Sequence, residues 1–181
     1  MPRVLDASPS PPVQKLLTHA KYQTQVTKRY DPSYVKLTYP NGDVPLDRGV
    51  CTDVLIRAFR EAGVDLQVRV HQDMRKNFSK YPKKWGLKST DRNIDHRRVP
   101  NLMTFFRRQG KKLKLSKNPQ DYQAGDIVAW LLPSGLYHIG IVSDGKTADG
   151  KRNLVIHNIG AGTQEEDILF EYKILGHYRY F

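Results

Sequence analysis

The stretch "DRGVCTDVLIRAFREAGVDL", Asp47 to Leu66, holds the only cysteine of the chain, where a loop gives way to an amphipathic helical pattern. Val54, Leu55, Ala58, Phe59 and Ala62 share one helical face, Arg57, Arg60 and Glu61 are expected to face away, and Gly63 is placed for a left-handed C-cap. Cys51 therefore falls at or beside a helix N-terminus, where unpaired N–H groups and the dipole favour a thiolate. A working nucleophile also needs a base, and the residues around Cys51 include no histidine. Of the six histidines, His19 sits in an N-terminal helical pattern, His71 and His96 in basic, turn-rich surroundings, and His177 close to the C-terminus. His138 opens "HIGIVSD" and His157 falls near the end of "LVIHNIG", both on short apolar strands separated by one hairpin. Neighbouring antiparallel strands can bring two such rings into hydrogen-bond reach, as a base and an orienting residue require. The spacing alone leaves a plainer reading open, in which the thiol is an inert buried group and the rings are hydrogen-bonded core residues.

The elements that must position these groups read as helices followed by strands. "SPSPPVQKLLTHAKYQ" predicts a helix capped by Ser10 and started by Pro11, with Val13, Leu16, Leu17 and Ala20 on one face. Turn signals then fill "KRYDPSYVKLTYPNGDVPLDRG". After the Cys51 helix, Val70, Met74 and Phe78 suggest a short basic helix, and "VPNLMTFFRRQG" another that stops at Gly110. From Gly125 the pattern turns to strands: "GDIVAWLL", "YHIGIVSD", "NLVIHNIG" and "EYKILGHYRYF". This order predicts an α+β chain with an N-terminal helical extension over residues 1–30 and one domain over 31–181.

Composition bounds the rest. The chain has 181 residues, 39% of them hydrophobic, enough to bury a core. One cysteine excludes an intramolecular disulfide framework and a four-cysteine zinc site. No apolar run approaches the roughly 20 residues needed to span a bilayer. The start, "MPRVLDASPSPPVQ", lacks the apolar stretch of an export signal, an ambiguous absence because an initiator Met can stand on a chain whose signal has been removed. A net charge of +12, concentrated between Arg69 and Lys117, points to an anionic partner or simply to a well-solvated surface.

Four stretches in order give the chain a resemblance to the NlpC-type branch of the papain-like cysteine peptidases and amidases. More closely, it resembles the YijF-like family of bacterial proteins. "VCTDVLIRAFREAGVDL" is similar to the nucleophile helix, "AGDIVAW" to the Gly-Asp strand, "YHIGIVSD" to the base strand and "LVIHNIG" to the strand of the third polar residue. The NlpC-type resemblance covers roughly residues 39–160, the YijF-like one about residue 30 to the C-terminus. It implies a papain-like NlpC-type fold, the nucleophile helix packed on an antiparallel sheet. It also implies Cys51 as nucleophile, His138 as general base, His157 as the residue orienting it, and the Cys51 N–H as an oxyanion donor. Some family members also use an upstream tyrosine, a role in which Tyr39 is expected unless it is simply a turn tyrosine beside Pro40. Where the family shows Asp-Cys-Ser-Gly this chain has Val50-Cys51-Thr52-Asp53, and the basic insertion after the helix is longer than in a minimal member. Asp53 could contact a substrate amine, or serve the helix N-terminus, which is favoured.

The expected activity is hydrolysis of an amide bond in a cell-envelope peptide, with peptidoglycan as the leading substrate, by a cysteine peptidase or amidase. Peptidoglycan stems carry free carboxylates, and Arg97 or Arg98 could clamp them bidentately, unless both are simply solvated. The alternative is an inactive papain-like module that binds an anionic polymer. Nucleic acid is the weaker candidate: Phe78, Tyr81 and Trp85 interleave with basic residues, but no nucleic-acid-binding signature accompanies them. Cys51, His138 and His157 are all possible zinc ligands, yet no ligand pair stands at short metal-motif spacing, so no metal or cofactor is expected. Such a function places the protein in the periplasm or outside the cell, its export signal outside this sequence; a cytoplasmic location stays open.

Overall fold

A computed structural model describes residues 8–181; the first seven residues, on which the reading of the export signal bears, lie outside the described residues. Helix α1 (Pro11–Val26) is followed by strand β1 (Arg29–Tyr30), strand β2 (Arg48–Gly49), helix α2 (Cys51–Glu61), helix α3 (Leu66–Lys76) and helix α4 (Val99–Arg108). Strands β3 (Ile127–Leu131), β4 (Tyr137–Lys146), β5 (Asn153–Asn158), β6 (Thr163–Glu166) and β7 (Lys173–Tyr178) complete the chain. They form one antiparallel sheet in the order β6-β5-β4-β3-β7, with β1 and β2 pairing in parallel apart from it. The architecture is α+β with α2 laid on an antiparallel sheet. Among the described residues, no helix is long and apolar enough to cross a membrane.

Period-two alternation explains the two faces of the sheet. Ile127, Ala129, Ile139, Ile141 and Ile156 turn toward the helices and join Leu16, Leu17, Ala20, Val54, Leu55, Ala58, Phe59, Leu102 and Phe106 in one core. Val128, Trp130, Val142 and Val155 turn the other way, against Tyr122, Ile168 and Leu169. The indole N–H of Trp130 is satisfied there by the Leu169 carbonyl at 3.0 Å. A sheet covered on both faces accounts for strands that read as apolar runs.

Helix α1 packs into this core through Val13, Leu16, Leu17 and Ala20. Its buried Gln23 donates to the Val54 carbonyl of α2 at 3.0 Å, and the boundary expected at residue 30 falls at the end of β1. Past the helix end, the Thr27 carbonyl accepts the N–H of Thr163 at 2.9 Å, so the edge strand β6 is tied to the N-terminal segment. Ser10 is the residue before the helix, but its side chain makes no cap; its carbonyl accepts the Gln14 N–H at 2.9 Å. At the end of α2 the expected cap forms. Gly63 has φ 90°, and the N–H of Val64 reaches back to the Phe59 carbonyl at 2.8 Å. Arg57, expected to face away, is instead buried. Its fork holds Asp43 at 2.8 and 3.0 Å and the Arg48 carbonyl at 2.9 Å, fixing the loop that leads into Cys51.

Candidate active site

Cys51 is the first residue of α2 and is buried in the helix–sheet core. Two features fix that helix start. The Asp53 carboxylate accepts the Val50 N–H at 2.7 Å, the half of a capping box that the third helical residue supplies, while the Asp53 N–H, which an apolar Val50 side chain cannot cap, donates to the Val50 carbonyl at 3.0 Å. The same carboxylate pairs with the guanidinium of Arg97 through two bonds of 2.9 Å, while the Thr52 hydroxyl donates to the Arg97 carbonyl at 3.0 Å. A 3-10 turn, Asp95–Arg97, is thereby locked against the helix N-terminus.

The Cys51 sulfur faces the amide that joins His138 to Ile139; that N–H, with those of Thr52 and Cys51 itself, favours the thiolate. Burial opposes them and prevails, so the thiol is pushed up to about 12, with the nearby Asp53 charge acting in the same sense. The expectation of a thiolate from helix position alone is thus corrected. A dipole worth a fraction of a charge does not offset loss of water around a buried sulfur.

His138 and His157 meet. Nε2 of His138 lies 2.9 Å from Nδ1 of His157, with the rings nearly perpendicular at 75°. The alternation of β4 and β5 places both rings on the Trp130 face, where the indole stacks on His138 at 5.6 Å. Burial holds the His138 imidazole down at about 3, with the neighbouring His157 ring adding to the effect. His157 is also lowered by burial, partly countered by Glu166, whose carboxylate lies 2.7 Å from Nε2. Both rings are therefore neutral near pH 7. Among the described residues no hydrogen bond links the sulfur to the His138 ring; what the sulfur meets is the backbone amide that follows His138.

The remaining expected residues lie elsewhere or are engaged. Tyr39 packs edge-on against His71 at 5.4 Å with Arg92 5.5 Å over its ring, so its partners are α3 and the loop before α4. A tyrosine upstream of Cys51 that does lie near it in the fold is Tyr30. Strand pairing sets Tyr30 opposite Gly49, and its phenol is raised to about 12 by burial, then by the Cys51 and Asp53 charges. Asn158, next to His157, donates to the carbonyls of Arg29 and Gly49 at 3.3 Å and holds that strand pair at the end of β5. Arg97 is corrected as a carboxylate clamp because its fork is spent on Asp53, and Asp53 as a substrate contact because it is buried and saturated. Arg98 lies 4.2 Å over the Trp85 ring and 3.9 Å from Asp95. Sequence reasoning missed Tyr30, which sits in a turn-rich stretch, and Glu166, on a four-residue polar strand. The Gly-Asp aspartate, Asp126, is structural. His177 at 2.6 Å and Arg179 at 2.7 and 2.8 Å hold it and join β3 to β7. Among the described residues no group of three or more His, Cys, Asp and Glu side chains converges as a metal site.

Fold and site together define an α+β protein in which a helix-borne cysteine is set against a strand carrying one member of a histidine pair. The chain belongs to the family described as Domain of unknown function (DUF1287), whose model matches residues 17–180. It is 64% identical over 162 residues to "Uncharacterized protein YijF" of Escherichia coli (strain K12), which covers 90% of this chain and 78% of that protein, in line with the YijF-like resemblance. A solved structure from Staphylococcus aureus subsp. aureus Mu50, described as similar to a lipoprotein of the NLP/P60 family, aligns at 15% identity with a TM-score of 0.45. That alignment covers 96% of this chain, which spans 44% of the other's length.

Proposed function

We propose that the protein is a cysteine amidase or endopeptidase that hydrolyses an amide bond in a cell-envelope peptide, with peptidoglycan as the substrate class. The observation that carries this reading is the His138–His157 hydrogen bond, borne by a strand whose His138–Ile139 amide faces the sulfur of Cys51. Because Nε2 of His138 is taken by His157, Nδ1 is the ring nitrogen proposed to take the thiol proton, past the start of β4 that divides the Trp130 face from Cys51. With the thiol high and the imidazole low, the resting pair is neutral, and His138 acts as general base as Cys51 attacks the carbonyl. The new C–S bond forms as the S–H proton passes to His138, which returns it to the departing amine; water then cleaves the thioester. The N–H of Cys51 and the Tyr30 hydroxyl are the proposed oxyanion donors, and Arg98 the remaining arginine for a substrate carboxylate. An envelope peptide implies action in the periplasm or outside the cell.

The test is release of soluble fragments from peptidoglycan by the purified protein beside Cys51→Ala. The expected result is release by the first and loss of at least about 100-fold in the second. Equal release by both overturns the reading. The burial of the thiol favours a second reading, a catalytically silent module that holds an anionic polymer through its +12 charge. It predicts no release by either protein, and sedimentation with peptidoglycan that Cys51→Ala preserves and added salt abolishes.

A further inference from the structure

We propose that Glu166 is a positioning residue of the site, fixing the proton arrangement of both imidazoles so that Nδ1 of His138 is left bare as the acceptor for the thiol proton. This rests on the reading of Cys51 and His138 as nucleophile and base, and adds a fourth member to that set. Its warrant is a chain of contacts in which each link dictates the next. A carboxylate only accepts, so the 2.7 Å contact requires the proton of His157 to be on Nε2. A neutral imidazole carries one N–H, so Nδ1 of His157 is then an acceptor. The 2.9 Å contact to that nitrogen in turn requires His138 to donate from Nε2. Nδ1 of His138 is left with its lone pair. Without a fixed acceptor at the far end, His157 is free to hold its proton on Nδ1, and the His138 proton would then sit on Nδ1, where the thiol proton must go.

The placement of Glu166 suits the task. Register pairs His157 with Gln164 and Val155 with Glu166, so Glu166 reaches His157 on the diagonal of one face. Its neighbour Glu165 points to the other face and engages Ser143. The charged and titratable groups that bear on this pair are Glu171, facing His157, and Tyr172, facing Glu166, besides His138 itself. Both imidazoles are almost sealed from water, whereas the Glu166 side chain is 43% exposed, so the negative charge sits where hydration costs it little. When His138 accepts the thiol proton the imidazolium keeps its Nε2–H bond to His157. The carboxylate stabilises that charge through the intervening ring, and no proton moves to Glu166.

The decisive experiment reads the rings directly, by nitrogen-15 NMR of the full chain labelled at histidine, with Glu166→Ala and the near-isosteric Glu166→Gln alongside. In the parent protein both His138 and His157 should show the Nε2–H form. Glu166→Ala should shift a measurable fraction of both to Nδ1–H, and Glu166→Gln, whose amide oxygen can still accept, should restore the parent pattern. On peptidoglycan fragments Glu166→Ala should lower kcat by roughly 10- to 100-fold with little change in KM, and Glu166→Gln should recover part of it. Unchanged ring signatures in Glu166→Ala, or Nδ1–H on His157 in the parent, overturn the proposal. So does a variant whose only effect is a lower Tm, since a strand staple would do no more. Because the NMR readout needs no turnover, a protein with no Cys51-dependent release would sink the hydrolase reading while Glu166 is still judged by its effect on the rings.

Discussion

Two opposed influences act on the sulfur of Cys51. Main-chain N–H groups from the helix start and from Ile139 attract negative charge, while burial and the Asp53 carboxylate repel it, and the second set prevails. The consequence is measurable. Alkylation of Cys51 in the folded protein near pH 7 should run at least about 100-fold slower than in denaturant and should accelerate as pH rises toward 12. Rapid labelling of the folded protein at neutral pH would contradict the buried, protonated thiol. The neighbouring carboxylate shows why residue type alone misleads. In the sequence Asp53 and Arg97 are both plausible substrate contacts, 44 positions apart; in the fold they consume one another, with side chains 4% and 2% exposed. Removing either would leave a buried charge unpaired, a change that costs about 3–5 kcal/mol in comparable cases. The placement of Cys51 at a helix start and of His138 and His157 on neighbouring strands was legible because each stands near the edge of a strongly patterned element. Tyr30 and Glu166 were not, since a two-residue strand and a polar four-residue edge strand leave almost no periodic signal.

At the scale of elements, the seam between β4 and β5 decides whether the imidazoles meet. Gly140 lies on it, and a Cβ there would stand 2.8 Å from Cγ1 of Val155, 3.1 Å from the Ile156 carbonyl oxygen and 3.2 Å from Cβ of His157. Gly140→Ala should therefore wedge the two strands apart beside the histidine pair. The expected outcome is a loss of about 1–3 kcal/mol in denaturant unfolding, together with altered imidazole resonances of His138 and His157. A variant matching the parent in both would show the seam to be looser than the contacts imply. Element by element, the apolar runs of β3, β4, β5 and β7 and the amphipathic faces of α1, α2 and α4 could be read directly, because burial on one side writes a period into the residues. Helix α3 ended at Lys76, before Phe78, where a 3-10 turn takes over. The register that brings β6 to His157 is set by tertiary pairing and leaves no such imprint.

For the whole molecule, burial of neutral histidines makes stability depend on pH. His138 is held at about 3 and His96 at about 4, the latter by burial with Asp53, Arg60, Arg97 and Asp65 around it. Both lie below the ordinary 6.5, so the unfolded chain binds more protons as pH falls through that range and folding stability is lost progressively from about pH 6.5 downward. Asp95 opposes them. Burial raises it to about 6, so it favours the folded state increasingly as pH falls from 6 toward 3.8. Two rings outweigh one carboxyl, and urea unfolding should show a net loss of a few kcal/mol, roughly 2–5, between pH 7 and pH 4. A level profile over that interval would contradict the neutral buried rings.

The hydrogen bond between Thr27 and Thr163 has a bearing on how the gene can be cut. It covers the margin of the strand that delivers Glu166, and the Thr27 hydroxyl is also bonded to the Leu46 carbonyl at 2.7 Å, on the approach to Cys51. A shortened product starting after Tyr30 would bare both that margin and the apolar flank left by α1, inviting strand-to-strand association between molecules. Residues 8–30 are in this sense a sewn hem, and a version trimmed of them is not simply a shorter form of the same fold.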